Sequence, residues 1–490
     1  MTGNDEFHFL NEVGSLDADG WDGEHKSKLW RYNLHYFDDL NAEEAVTRRA
    51  WHDALIARWI AENPPATGSG WEPYPTSLRI VNWVKTALYG HPLSDAAQHS
   101  LAVQARWLTK RLEWHLLGNH LFANAKALMF AGFFFDGPEA DGWRAQATTI
   151  LERELTEQFL ADGGQFELTP MYHALALEDV LDLVNLWAAF EGGLNARETA
   201  LVKRCAAMVP EMTAWLSAMS HPDGKVSFFN DTAFKIAPEN TELFEYVDRL
   251  GFPISASTNS LTHLSASGYV RAESGPAVLI ADVARVGPDY LPGHAHADTL
   301  SFEFSAFGQR VFINSGTSEY GLGAERLRQR GTAAHNTVLA LGENSSEVWS
   351  GFRVGARARV HDVSVHPGAS GATISARHDG YRRTRSGLDH QRTWTLTETS
   401  LEVTDRLSVP VASVARYHLH PDVKIFTADD ARSGDILLNS GDTLKWQAVG
   451  GACRLETSTW HPEFGLSIES KCLCIDLDAG HASLTLTWSG

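Results

Sequence analysis

"LSFEFSAFGQRVFINSG", residues 300–316, decides how the second half of the chain is read. Leu300, Phe302 and Phe304 alternate with polar residues, the period of two that a strand imposes on its faces. "FGQ" supplies a turn and the chain returns as a second strand. Runs of the same kind lie on either side, among them "AVLIADVAR", "RTWTLTETSLEVTDRLSV", "ARYHLHPDVKIF", "TLKWQAV" and "SLTLTWSG". Gly, Asp, Asn and Ser turns separate them, so the series reads as an antiparallel β-sandwich. Before residue 255 the period is helical. "AEEAVTRRAWHDALIARWIAEN" (42–63) sets Ala45, Trp51, Leu55, Trp59 and Ile60 at helical spacing, and "TSLRIVNWVKTALYG" (76–90) does the same up to Gly90. Similar blocks recur at 95–113, 119–135, 139–160, 172–192 and 196–220. No strict repeat runs through them, which favours a helical toroid over a repeat array. The expected fold class is α+β multidomain: an N-terminal (α/α) helical toroid followed by a C-terminal antiparallel β-sandwich. Residues 1–41 are expected as an aromatic arm packed on the toroid, 42–255 as the toroid and 256–490 as the sandwich.

Composition is that of a soluble globular protein: 490 residues, 43% hydrophobic and 21% charged. A net charge of −20 argues against broad nucleic-acid binding. It leaves room for an acidic substrate if Arg326, Arg328, Arg330 and Arg353 line a local basic cleft. The longest apolar run, "ALMFAGFFF" (127–135), is too short to span a bilayer. The N-terminus has no basic start and no apolar signal core, so the chain as written is expected in the cytoplasm, or in the periplasm or outside if a signal was removed. The four cysteines form no C-x-x-C pair, and Cys472 and Cys474 share parity in a predicted strand, where they pack as small apolar residues.

Ahead of the hairpin, "GHAHAD" places His294, His296 and Asp298 at the parity of Leu300 and Phe302. If the strand reaches back to His294, all three point to the buried side. Buried ionisable groups are costly unless paired, metal-bound or functional. His-x-His on one strand face is a candidate pair of metal ligands, and the alternative is a loop with solvated histidines. "INSGTSEYG" (313–321) brings Asn314 toward the His296 end, and "RGTAAHNTV" (330–338) adds His335 and Asn336, so two imidazoles and one amide oxygen converge. In the helical half, "GNHLFANAKALMF" (118–130) opens a helix with Asn119 as cap and His120 in its first turn. The same donors at a helix N-terminus make an anion site. "DGGQFELTPMYHALALEDVLDLV" (162–184) carries a helix start: Thr169 caps, Pro170 takes the first position, and Tyr172 sits where the helix dipole modestly favours a phenolate. Glu167 and His173 are its neighbours.

Taken in order, "GNHLFANAKAL", "GGQFELTPMYH", "GHAHADTLSFEF", "INSGTSEYG" and "RGTAAHNTV" resemble the heparinase II/III family of polysaccharide lyases, with the related alginate lyases. "LWRYNLHYFDDL" and "GWEPYPTSLRIVNW" resemble the N-terminal part of members from bacterial polysaccharide gene clusters. The resemblance implies the toroid and sandwich read above, and β-elimination at uronic acids of a glycosaminoglycan or another acidic polysaccharide. The proton at C5 is barely acidic, so the neighbouring carboxylate must be neutralised, a base must take the proton, and an acid must protonate O4. Asn119 and His120 would neutralise the carboxylate. Tyr172 would act as base, acid or both. His294 would assist at the carboxylate or act as the opposite-face base. Arg79, Trp71, Tyr36, Arg330 and Asn336 are expected to bind substrate. The resemblance also implies a structural zinc on His296, an Asp and His335. Asn314 stands at the Asp position and brings no charge, which sets the expectation against tight zinc binding. The expected partner is an acidic polysaccharide or oligosaccharide, with no nucleic acid and no membrane. Two other readings are a toroid glycoside hydrolase, needing two carboxylates about 5–10 Å apart among Glu167, Glu178, Asp298 and Glu303, and a non-catalytic polysaccharide-binding protein of exopolysaccharide metabolism.

Overall fold

The computed structural model describes residues 1–3, 5–254, 259–384 and 387–489. Helices Arg49–Glu62, Pro73–Leu88, Asp95–Leu108, Gly118–Phe134, Pro138–Gln158, Pro170–Ala189 and Ala196–Ala218 fall on the blocks of helical period. Residues 42–48 do not extend the first of them: Glu44 takes φ 57° and the chain makes a single 3-10 turn instead. Gly118, not Asn119, begins its helix, because Leu117 at φ 57° is the capping residue, so Asn119 is a first-turn residue rather than a cap. A further helix, Asn240–Arg249, is closed at its start by reciprocal bonds between Glu239 and Glu242. No helix among the described residues is long and apolar enough to cross a membrane.

The chain packs as two compact units, Met1–Gln158 with Asp179–Ala207, and Phe159–Glu178 with Met208–Gly490. This is not a division into helices and sheets, since each unit holds helical segments. The boundary expected at 255/256 lies outside the described residues.

In the first unit the aromatic arm is ordered. A hairpin, Glu6–Phe9 with Glu12–Ser15, precedes helix Lys28–Tyr36, which Ser27 caps. Phe37 then lies edge-on to Trp59 and Trp83 at 6.5 and 5.5 Å. Asn82 donates to the Tyr36 carbonyl at 3.0 Å, and the terminal ammonium meets Asp39 at 2.9 Å.

The second unit carries the sandwich. A five-stranded antiparallel sheet runs Leu261–Leu264, Tyr269–Ser274, Ala277–Asp282, Phe302–Ala306, Gln309–Phe312. An eight-stranded sheet runs from Val360–Gly368 at one edge to Lys424–Thr427 at the other, and a four-stranded sheet from Cys453–Trp460 to Val338–Ala340. Their inner faces share one core, in which Phe302, Val403, Trp446, Tyr417 and Leu473 are all but fully buried. One polar group enters it compensated: Arg392 holds Asp405 by two bonds of 2.7 and 2.9 Å, and His390 adds a third at 2.7 Å. Cys472 and Cys474 are buried on strand Ile468–Asp476 with free thiols.

The strand of the opening stretch does not reach back to His294. It begins at Phe302. Leu300 takes φ 60°, and the Ser301 N–H bonds the Asp298 carbonyl at 2.8 Å, closing a turn where extended backbone was expected. Ala295 and Ala297 are buried together with His296 and Asp298, so burial here follows a coiled segment and not one face of a strand. The same change brings His294 and His296 onto a common partner.

Candidate active site

The common partner is Asp231, in "FFNDT". Asp231 Oδ2 lies 2.9 Å from His294 Nδ1, and Oδ1 lies 2.8 Å from His296 Nε2. The Arg326 guanidinium grips both oxygens, one at 2.6 Å. Burial alone would push this carboxyl up. Arg326 and the two imidazoles outweigh it and hold the pKa well below the usual carboxylate range, so Asp231 stays ionised. Asn230 fixes the same segment, its Oδ1 accepting the His296 N–H at 3.0 Å. A ring that donates through Nδ1 to a carboxylate keeps Nε2 for other work. His294 Nε2 stands 3.5 Å from Glu167 Oε2, and the ring is 14% exposed.

Tyr172 occupies the first turn of helix Pro170–Ala189, as its sequence signal implies. The His173 N–H closes the first helical bond on Thr169 at 2.9 Å. The Tyr172 ring stands 4.1 Å from the His294 ring, and its hydroxyl lies 2.9 Å from that of Tyr320. Tyr320 is wedged against Phe352 and Phe464 at 5.1 and 4.8 Å. Burial pushes the Tyr320 phenol well above its ordinary value, so it remains a neutral donor. Two phenols, one imidazole and its anchoring carboxylate thus form one cluster within the second unit. Such a set can abstract a proton, return it, and hold a neighbouring anion.

Of this cluster the sequence motifs single out Tyr172 and His294, and not Asp231, Tyr320 or Arg326's part in it. The available signals were a polar Asn-Asp doublet inside an aromatic run, and the tyrosine of "INSGTSEYG", a motif read only for Asn314. Asn119 and His120 belong to the first unit. There His120 Nδ1 meets Glu113 at 3.1 Å, and its ring lies tilted against Tyr74 at 4.5 Å.

The expected substrate-binding residues are corrected. Arg79 is wholly buried, its guanidinium 3.9 Å over Trp59 and bonded to Gln104 at 2.9 Å. Trp71 is buried against Trp59 and donates to the Asn63 carbonyl. Tyr36 is buried beside Tyr74. Asn336 is buried between the Phe302 carbonyl and the His418 N–H. Arg330 is buried and spends its donors on the Ala295, Ser350 and Arg353 carbonyls. These side chains bind the protein's own backbone and rings and offer no face to a sugar. Arg326 leaves the basic cleft for the same reason.

His296 and His335 lie side by side, and Asn314 stands where the resemblance implies an Asp. The His296 and His335 rings stand 5.2 Å apart, and burial keeps both neutral, His296 lowered to about 4, as metal ligands must be. His296 Nδ1, Asn314 Nδ2 and both His335 nitrogens have no hydrogen-bond partner among the described residues. Two imidazoles and an amide bring no charge of their own to a buried dication, and Asn314 Oδ1 already accepts the Asn336 N–H at 3.1 Å, which weighs against tight zinc binding. Among the described residues no group of three or more His, Cys, Asp or Glu could hold a metal. Asn314→Asp supplies the missing charge. Zinc retained after dialysis is expected to rise toward one equivalent, read by elemental analysis, and unchanged content would contradict the ligand assignment.

Comparison with known proteins gives a family. Residues 41–247 match the family model described as heparinase II/III N-terminus, and residues 256–486 match heparinase II/III-like, C-terminal. The heparin-sulfate lyase of Bacteroides stercoris is 25% identical over 253 residues, 48% of this chain and 37% of that protein. The chain therefore spans well under half of that relative. The FtsZ-localized protein C of Caulobacter vibrioides is 25% identical over 484 residues, 92% of this chain and 80% of that protein. Among solved structures, a heparinase III superposes with TM-score 0.71 at 18% identity, covering 96% of this chain and 77% of that one. The heparan sulfate lyase HepC of Pedobacter heparinus gives 0.63 at 19%, covering 99% and 81%. The fold is that of these proteins, a helical toroid followed by an antiparallel β-sandwich. With both of its halves matched, the chain belongs to the heparinase II/III family.

Proposed function

We propose that the chain is a polysaccharide lyase that cleaves a uronate-containing polysaccharide by β-elimination and leaves a 4,5-unsaturated uronyl end. The observation that carries the reading is the phenol pair beside an anchored imidazole: Tyr172 Oη 2.9 Å from Tyr320 Oη, and the Tyr172 ring 4.1 Å from His294. In the reaction the C5–H and C4–O4 bonds break, C4=C5 forms, and the proton ends on the departing O4. Tyr172 takes the proton as phenolate and returns it as phenol. Tyr320, kept protonated by burial, donates to the Tyr172 oxygen and so favours its phenolate. His294, held at Nδ1 by Asp231, offsets the charge of the substrate carboxylate from Nε2 as a doubly protonated imidazolium, as an enolate-like transition state requires.

The family supports this reading, and so do the relatives named heparin-sulfate lyase and a structural neighbour named chondroitin AC lyase, TM-score 0.55 at 12% identity. By their example the substrate class is an acidic polysaccharide of heparan or chondroitin type. The hydrolase alternative is weakened at Glu303, which faces the interior on His221 at 2.9 Å. A second reading, glycan binding without turnover, takes only this from the nearly full-length likeness to FtsZ-localized protein C: that printed name is not that of a lyase.

The test is incubation with heparan sulfate, chondroitin sulfate, hyaluronan and alginate, followed by ultraviolet absorbance and product mass. An absorbing unsaturated end from at least one polymer is expected. Products heavier by one water would mean hydrolysis, and binding with no product from any polymer would favour the second reading.

A further inference from the structure

A short hairpin, Val348–Trp349 with Arg353–Val354, stands beside the cluster. Its turn carries Phe352, whose ring lies edge-on to His294 at 5.9 Å and to Tyr320 at 5.1 Å. Phe352 is 42% exposed and Trp349 53% exposed. Arg353 is directly opposite Trp349 in the ladder. It is exposed, and its guanidinium makes no ion pair or hydrogen bond among the described residues. Every other arginine of the expected basic cleft is committed: Arg326 to Asp231, Arg328 to Glu325, Arg330 to backbone carbonyls.

Scattered exposed aromatics are ordinary on protein surfaces. This pair differs in how firmly its support is held. Arg326 Nε donates to the Gly351 carbonyl at 3.0 Å, and Arg330 donates to those of Ser350 and Arg353 at 3.1 and 3.3 Å. A Cβ on Gly351 would meet the Gly321 carbonyl oxygen at 2.4 Å, so the turn lies directly on the loop that bears Tyr320. Arg326 is the residue that grips Asp231, so one guanidinium sets both the imidazole of the cluster and the position of the hairpin. Cross-strand neighbours present their side chains on one face. An aromatic face beside an unpaired guanidinium is the pair of surfaces that an acidic sugar offers to match: an apolar ring face for stacking and an anionic group for a charge-assisted fork.

We propose that the hairpin Val348–Val354 is a substrate subsite, with Trp349 stacking on a sugar next to the one at Tyr172 and Arg353 binding that sugar's anionic group. The proposal rests on the lyase reading for the identity of the chain it holds, and its support is that Arg326, Arg330 and the Tyr320 loop hold the backbone of the hairpin that carries Trp349 and the unpaired Arg353.

The full chain carrying Tyr172→Phe, which leaves a bound glycan uncut, is titrated calorimetrically with hexasaccharides of heparan sulfate, chondroitin sulfate, hyaluronan and alginate. Trp349→Ala and Arg353→Ala are added singly, and circular dichroism and melting confirm an unchanged fold. Affinity for the best-bound hexasaccharide is expected to fall about fivefold to tenfold with Trp349→Ala, and about tenfold or more with Arg353→Ala. Trp349→Phe is expected to keep most of the affinity. Unchanged affinity in both alanine variants overturns the proposal, and so does failure of all four hexasaccharides to bind. Hairpin-dependent binding in a chain that yields no ultraviolet-absorbing product would sink the lyase reading and keep the subsite.

Discussion

Tyr172→Phe is expected to lower elimination by about 10²- to 10⁴-fold, the range that positioned proton transfer contributes, with glycan binding nearly unchanged. The substitution deletes one oxygen atom. The ring remains on His294, the helix start at Pro170 is untouched, and Tyr320 loses only one hydrogen-bond partner. An interaction made only in the transition state shows as a fall in kcat with little change in KM. Tyr320→Phe should cost less, because Tyr320 stabilises the Tyr172 oxygen and does not itself exchange the proton. Initial rates of ultraviolet product formation for the three proteins check this. Full activity in Tyr172→Phe would remove Tyr172 from the chemistry.

The second large effect belongs to Asp231→Asn. Asp231, Arg326 and His296 are completely buried, and His294 is half-buried with its ring 14% exposed. Removing the carboxylate charge leaves the Arg326 guanidinium buried without a counter-charge, a loss of about 3–5 kcal/mol in comparable pairs. It also leaves one acceptor oxygen where two held His294, His296 and Arg326, so the His294 tautomer is no longer fixed, and the guanidinium that holds the hairpin turn loses its own partner. A melting temperature well below wild type and turnover reduced about a hundredfold or more are expected, read by calorimetry and by the ultraviolet assay. Folding and catalysis separate in the double variant Asp231→Leu/Arg326→Met. An apolar pair of similar volume recovers part of the stability, as replaced buried ion pairs often do, but cannot orient His294. Recovery of turnover along with stability would show that Asp231 has only a structural part. The pH dependence has a definite sign. A carboxyl whose folded pKa is depressed stabilises the fold at pH above its unfolded value, about 3.9. That contribution is lost as pH falls through the depressed folded value. The variant should therefore lose stability most at neutral pH and differ least from wild type in strong acid.

How much of this was legible in the sequence depends on how local each signal is. Helical period is local, and the helices follow it apart from residues 42–48, including the Pro170 start that sets Tyr172; the cap expected at Asn119 failed because Leu117 takes that place. Alternation is local too, and it is right from Phe302 onward. It misleads over 294–300, where one positive-φ residue, Leu300, converts an apparent strand into a turn that side-chain periodicity does not encode. The partners of His294 and His296 were out of reach for another reason: Asp231 lies 63 residues before His294 and bonds it only through the folded backbone. Arg79, Trp71 and Tyr36 failed as sugar-binding candidates because arginines and aromatics that stack on sugars also stack on each other in cores, and composition does not separate the two. Trp349 and Phe352 sit in a two-residue-per-strand hairpin too short to leave a period at all.

The central claim is that this cluster removes the proton from C5 of a uronate. It is tested most directly by digesting a polymer deuterated at that carbon and weighing the products. Unsaturated oligosaccharides that have lost the C5 deuterium from the uronate at the new non-reducing end, formed by wild type and not by Tyr172→Phe, are the predicted result. Cleaved products that keep the deuterium and gain a water would contradict it.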